Sequence, residues 1–382
     1  MAEREDPNKP RLDKLTGEAL TPMVQKALGR PVAVTTWHYQ PMSGGFGGGM
    51  GGTYLYRFSG MADDQEASLE WSMILKIIEH RPNEDRADPK YWKREYEVYR
   101  SGIFNDLPGG LQAARCFGVT DFENESCWLW LEELHDDLGE TWPVTHYRTI
   151  GQHAGHFSGV FLEKRPLPNE LWLSNHWLRK IIATLTPRFA EMQDMLQQPL
   201  LRPVLPPDAH AQFARLLADS EQFLSALDQL PQTISHKDYF RRNIFARRMV
   251  DGQYQTIAID WAFVGQAAIG TEAAIPVMVG LFVAQIDPDQ TDEHEKQVFE
   301  GYLSGLRDMG WNGDSRIVHL GYAASTALKL IELMSPMGHL DDPGFQAFIQ
   351  SALGCPMSHF VHHIAAMNRL AYRMADEART LL

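Results

Sequence analysis

The chain has 382 residues, 44% of them hydrophobic and 22% charged, with a formal net charge of −14. Those values fit a folded protein of one large or two fused lobes and exclude a disordered chain. The acidic balance argues against a general nucleic-acid binder, which would present a basic face, and is compatible with a cationic small-molecule partner.

The charged start, residues 1–10, lacks the apolar core of a secretion signal. Three cysteines, Cys116, Cys127 and Cys355, make neither a disulfide framework nor a paired C-x-x-C, which fits a reducing cytoplasm. Residues 15–28 read as a short helix. Residues 31–37 are rich in strand formers and run into a glycine segment at 43–53. Tyr54, Tyr56 and Phe58 then alternate on one face of a second strand.

Gly47, Gly49 and Gly52 satisfy the pattern G-x-G-x-x-G. In a dinucleotide-binding fold such glycines open a helix; here they open a strand. Strand, glycine loop, strand is instead the arrangement that covers ATP phosphates in kinases, where missing side chains let backbone N–H groups approach the anion. A P-loop is excluded because no Gly-Lys pair occurs to supply its lysine.

Residues 69–78 form an apolar strand interrupted by Lys76. Burying an ammonium without a partner is costly. Either the side chain snorkels to water, or it points into a cleft, binds the α and β phosphates and is held by a carboxylate. The next helix, residues 90–101, offers Glu95 and Glu97. Trp92, Tyr96 and Tyr99 make its apolar stripe, and Glu95 lies three residues after the first and four before the last. Glu97 falls among Lys93, Arg94 and Arg100, a solvated face. Glu95 is therefore the expected partner of Lys76. Strands at 111–119 and 126–131 complete a first lobe of five strands and one helix, and residues 132–137 turn polar abruptly.

Helices dominate from residue 145: 145–162, 171–196 and 208–227, then 272–284, 292–309, 315–334 and 344–382. The apolar stretch 267–284 is interrupted by Thr271, Glu272 and Pro276, so it reads as a buried helix and not as a bilayer span. Glu272 suits a first-turn carboxylate favoured by the helix dipole. His359, His362 and His363 have no carboxylate or thiol at ligand spacing and read as helix surface.

The chemistry concentrates at residues 235–261. Asp238 and Asn243 are five residues apart, within one tight loop. Asp251-Gly252 signals a two-residue hairpin joining 243–250 to 253–260. Its return brings Asp260 back to Asp238 and Asn243. Two carboxylates and an amide are hard oxygen ligands of the kind a magnesium ion on phosphates needs, with one carboxylate left to accept a hydroxyl proton.

His236-x-Asp238-x-x-x-x-Asn243 followed by Ile259-Asp260-Trp261 resembles the catalytic loop and metal segment of the aminoglycoside phosphotransferase and choline kinase-like family, distant relatives of protein kinases. Lys237 departs from the pattern, standing where a glycine is usual. The resemblance implies a two-lobed, protein kinase-like α+β fold. Its small N-terminal lobe, residues 1–135, would carry an antiparallel sheet and one helix. Its larger, mainly helical C-terminal lobe, residues 136–382, would carry the catalytic loop and the acceptor site.

The resemblance further implies a cytoplasmic enzyme that moves the γ-phosphate of ATP, or of another nucleoside triphosphate, to a hydroxyl of a small molecule. Asp238 would be the base, His236 would shape the loop, and Asn243 with Asp260 would hold Mg2+. Lys76 braced by Glu95 would clamp the phosphates beneath Gly47, Gly49 and Gly52. The strand exit at Glu133 would offer backbone groups to adenine. One of Arg241 and Arg242 would reach the transferred phosphate and the other would make a surface salt bridge. An aminoglycoside, another amino alcohol, a sugar or a macrolide remain open as acceptor; no nucleic acid or membrane partner is expected. The alternative is a catalytically inactive nucleotide-binding or scaffolding member of the same fold, against which the presence of Lys76, Asp238, Asn243 and Asp260 speaks.

Overall fold

The structure, a computed structural model, describes residues 6–42, 53–82, 85–123, 125–335 and 337–382. The chain divides into two compact units, Met1–Pro82 with Tyr99–Ser101 and Ala114–Leu134, and Asn83–Val98 with Gly102–Ala113 and His135–Leu382. In chain order the first elements are α1 (Lys9–Leu12), α2 (Gly17–Leu28), β1 (Ala33–Met42), β2 (Thr53–Asp63) and β3 (Ser68–Glu79). After α3 (Arg94–Ser101) and β4 (Leu111–Ala113), the strands β5 (Cys116–Phe122) and β6 (Ser126–Leu131) return to the smaller unit.

The smaller unit is a five-stranded sheet of order β1-β2-β3-β6-β5 with every neighbouring pair antiparallel. Alternation in β2 and β3 buries Tyr56, Phe58, Trp71, Met73, Leu75 and Ile77, which pack with Trp128 and Trp130 of β6 and with Leu20 and Val24 of α2. Thr16 caps α2 by accepting the Ala19 N–H, and Gly29 ends it in the left-handed region. The strand expected at 111–119 is two strands. Ala114 and Arg115 leave the ladder, β5 completes this sheet, and β4 pairs in parallel with a strand of the larger unit. The helix expected at 90–101 begins at Arg94, and its first five residues belong to the larger unit.

The larger unit continues with α4 (Val144–Gly159), extended by a wide turn through Lys164, then α5 (Trp177–Leu185), α6 (Phe189–Met195), α7 (Ala209–Gln229), β7 (Gln232–Ser235), β8 (Ile244–Arg248), β9 (Tyr254–Ala258) and β10 (Gly265–Ala268). It ends with α8 (Thr271–Phe282), α9 (Thr291–Asp308), α10 (Ser315–Met334), α11 (Pro343–Leu353) and α12 (Met357–Leu381). The helix expected at 171–196 is broken, because His176 starts α5 in a left-handed conformation and Pro187 separates α5 from α6. The one expected at 344–382 breaks where Gly354 turns left-handed before Pro356. Every residue of α8 is buried. Among the described residues one helix, Ser315–Met334, is long and apolar enough to cross a bilayer, and its most apolar window is 78% buried within the protein.

Helices α4 and α9 cross at glycines. A Cβ on Gly155 would lie 2.1 Å from the Tyr302 carbonyl, and one on Gly305 would lie 2.0 Å from the Gln152 carbonyl. No side chain fits there, so the helices meet backbone to backbone. α4 also carries His153, buried with Nδ1 2.8 Å from the Thr256 hydroxyl of β9. Burial holds its pKa down at about 4. The depressed value means that the stability this group contributes is present above the ordinary value near 6.5 and lost as pH falls through that value towards 4. The thermal midpoint should therefore drop between pH 6.5 and 4.5, and His153→Gln should flatten that drop. An equally steep drop in the variant would show that the acid sensitivity lies elsewhere.

Candidate active site

Strand β7 delivers the chain to the loop 236–243, and β8 and β9 carry it away and back. The connection is one residue longer than expected. Met249 N–H donates to the Gln253 carbonyl at 2.8 Å, so three residues, not two, form the turn, with left-handed Gly252 as the third. The register this sets places Asn243 opposite Ile259, whose N–H donates to the Asn243 carbonyl at 2.9 Å. Asp260 is the next residue, itself left-handed with φ +60°.

His236 is fully buried. Its Nε2 lies 2.9 Å from the Ile259 carbonyl, which can only accept, and its Nδ1 lies 3.3 Å from the Asp238 N–H, which can only donate. The ring is thus the neutral Nε2–H form with both nitrogens engaged. It stitches the loop to the strand before Asp260, and its face meets Trp261 at 4.5 Å. Neither nitrogen is left to take a substrate proton. Tyr239, also fully buried, donates from its hydroxyl to the Ile150 carbonyl of α4 at 3.0 Å, fixing the loop from the other side.

Asn243 donates from Nδ2 to the Asp238 carboxylate at 2.7 Å and to the Asp238 carbonyl at 3.0 Å. That orientation leaves its amide oxygen as the ligand-capable atom. Burial raises the Asp238 carboxyl to about 7, and the negative charge of Asp260 pushes the same way. The hairpin therefore brings Asp238, Asn243 and Asp260 into one electrostatically coupled group within the larger unit. Two protein oxygen donors are too few for a resident ion, and among the described residues no three His, Cys, Asp or Glu side chains group as a metal site. A hard cation there requires further oxygens, such as phosphate supplies.

Lys237 explains why a glycine is usual at its position: φ is +67°, the left-handed region. A non-glycine residue there costs of order 1 kcal/mol or more. The lysine stays because its side chain is buried and its Nζ donates to the Ser174 carbonyl at 3.0 Å and the Ser174 hydroxyl at 2.7 Å. Glu272, in the first turn of α8, is likewise buried and accepts from the Ser235 hydroxyl and, at 3.4 Å, from the Lys237 N–H. Burial raises its carboxyl to about 7. It is a strut under the loop as well as a first-turn carboxylate.

Among the other candidates, Lys76 is buried on β3 opposite Leu55 and Leu129, in the smaller unit. Glu95 is buried on α3, in the larger. The Glu133 side chain accepts from Arg57 Nε at 2.7 Å within the smaller unit. Gly47, Gly49 and Gly52 lie outside the described residues. Arg241 donates to the Gly139 carbonyl and Arg242 to the Ala352 carbonyl at 2.9 Å, so the expected surface salt bridge gives way to backbone contacts.

The solvated face expected on α3 is also corrected. Arg94 is 0% exposed and Glu97 2%, because the start of the helix is enclosed by residues 88–89, 172 and 262 of its own unit. Arg94 donates to the carbonyls of Asp88, Pro89, Trp172 and Ala262. No local pattern marks this residue.

Comparison with solved structures gives the fold. The microcompartment-associated aminopropanol kinase is 14% identical, with a TM-score of 0.55, over 94% of this chain and 99% of that one. The aminoglycoside phosphotransferase from Alicyclobacillus acidocaldarius subsp. acidocaldarius DSM 446 is 12% identical, with a TM-score of 0.52, over 91% of this chain and 92% of that one. The chain has the α+β fold of these kinase-like phosphotransferases. No protein-family model matches it, and no curated protein matches it either.

Proposed function

We propose that this protein is a small-molecule kinase, transferring the γ-phosphate of ATP to a hydroxyl. The observation that carries the reading is the coupled group of Asp238, Asn243 and Asp260 on a loop braced by His236, Tyr239 and Glu272. Two proteins of the same fold are named as an aminopropanol kinase and an aminoglycoside phosphotransferase, which supports group transfer to a small molecule.

Asp238 orients the acceptor hydroxyl and accepts its proton; burial holds its carboxyl above the usual carboxylate range, which makes it a better base. Asn243 and Asp260 would hold magnesium, which supplies charge neutralisation for the β and γ phosphates. Asn243 has a second duty, since its amide hydrogen bond fixes the Asp238 carboxylate. We assign Lys76 to the α and β phosphates, Glu95 to orienting it, Gly47, Gly49 and Gly52 to covering them, and the backbone at Glu133 to adenine. His236 is a positioning residue. The first unit would serve the nucleotide and the second the acceptor, in a cytoplasmic protein. Positioning and charge neutralisation supply most of the rate in such transfers.

The test is ADP release from ATP and magnesium across amino alcohols, aminoglycosides, sugars and macrolides, alongside calorimetric titration with a non-hydrolysable ATP analogue. Saturable, magnesium-dependent nucleotide binding and acceptor-dependent ADP release are expected. No nucleotide binding with magnesium present would overturn the reading.

A further inference from the structure

Within the larger unit, α5, α7, α8, α10 and β10 line a half-open cavity of about 120 Å³, close in size to engineered cavities that take benzene. Its lining includes Lys237 and Lys329 but none of Asp238, Asn243 and Asp260. Both lysines are buried, at 5% and 6% exposure. Apolar walls come from Trp177 and Ile275, and the paired hydroxyls of Thr271 and Ser325, 3.0 Å apart, face the same space. This is the plan of a small-molecule site: an apolar body pocket with a few convergent polar groups.

The charge is lopsided. Lys237 Nζ donates to two oxygens of Ser174, both neutral. Glu272 accepts from the Lys237 backbone N–H and the Ser235 hydroxyl. Arg94, Lys180 and Lys329 add like charge around Lys237, and Glu272 opposes it. Lys329 is held by Glu332 at 3.0 Å, and at the rim Arg179 and His176 are tied to Asp228. The hydrogen-bond partners of Lys237 Nζ are neutral and burial holds the amine well below the usual lysine range, so an anion in the pocket would favour its protonated form.

We propose that this cavity binds a small organic carboxylate, its anionic end on Lys237 and Lys329 and its short apolar body against Trp177 and Ile275. The site is separate from the phosphoryl-transfer group yet shares the loop with it, since Lys237 is the residue before Asp238. Occupancy would hold the proton on Lys237 and stiffen the left-handed turn at this residue, which leads into Asp238.

The test is calorimetric titration of the intact chain, without nucleotide or magnesium, with sodium butyrate, butyramide and butylammonium chloride. One saturable butyrate site is expected, with butyramide weaker by about tenfold or more and butylammonium silent, because only the carboxylate makes charge-assisted bonds to the lysines. Lys329→Met should weaken butyrate about tenfold or more, and Ala274→Leu, which fills the cavity from α8, should abolish it. Near-ultraviolet circular dichroism checks that each variant is folded, and Ser325→Leu replaces any that is not. No saturable butyrate binding, equal binding of butyramide, or unchanged affinity in both folded variants would each overturn the proposal. Because no phosphoryl transfer is measured, a failed kinase assay leaves this result standing by itself.

Discussion

Asp238→Ala is expected to cut turnover roughly a thousandfold or more, the range a positioned base supplies, while leaving the protein as stable as its parent or more so at pH 8. The two halves of this expectation come from one fact. The carboxyl is partly buried and feels the negative charge of Asp260, so its pKa is raised from 3.8 to about 7. A raised value means that the stability this group contributes is full below its ordinary value and is lost as pH rises through 7. Above pH 7 the ionised carboxylate therefore burdens the metal-free native state, and alanine removes the burden at the loss of one hydrogen bond from Asn243.

Thermal midpoints measured in chelator should favour the variant most at pH 8, with the difference shrinking as pH falls towards 4. Steady-state kinetics at saturating ATP should place the loss in kcat. Near-normal turnover would remove Asp238 from the chemistry. A variant that unfolds more easily at pH 8 than at pH 5, relative to parent, would contradict the electrostatic account. Asp260→Ala should match the kinetic loss and also lower the Asp238 pKa, because it deletes the like charge.

The core of this site was readable because its determinants are local. Asp238 and Asn243 share one loop, and a turn signal at 251–252 returns Asp260 to them within a single hairpin. What was unreadable depends on backbone sign and on distant partners. An Asp-Gly pair suits a two-residue turn or the end of a three-residue one; the structure takes the second, which shifts pairing by one residue and sets Asn243 against Ile259. Lys237 looked like bulk in a glycine position. That its side chain is buried rests on Ser174, sixty-three residues away. Glycines every four residues in α4 and α9 were open to view, yet a four-residue spacing becomes a helix crossing only when two such stripes face each other. The strand at 111–119 divides because Leu111 pairs with β9, a partner that no local alternation could specify.

Arg94→Met is expected to lower the thermal midpoint of the larger unit by roughly 10 °C, a destabilisation of about 4 kcal/mol, the largest structural effect among these variants. The guanidinium is fully buried and donates to four backbone carbonyls from three segments: 88–89, 172 and 262. Burial lowers its pKa only to about 10, so it remains charged at neutral pH. Methionine fills much of the volume and removes the charge, but it abandons four acceptors, and each carbonyl left without a donor costs about 1 kcal/mol or more. Lysine cannot substitute, since a single ammonium does not span the fork that reaches Trp172 and Ala262 together.

Ala262 lies two residues beyond Asp260, and Glu95 is next to Arg94 on the same helical turn. Arg94 is therefore the pin between the start of α3 and the segment that follows Asp260. The destabilised variant should lose activity below its midpoint as well, through a raised KM for magnesium-nucleotide with a smaller change in kcat. Denaturation tracked by tryptophan fluorescence and by circular dichroism gives the stability term; kinetics at 20 °C gives the other. A midpoint within about 2 °C of the parent would mean that water replaces the guanidinium at these carbonyls, and that the start of α3 is held by its aromatic stripe instead.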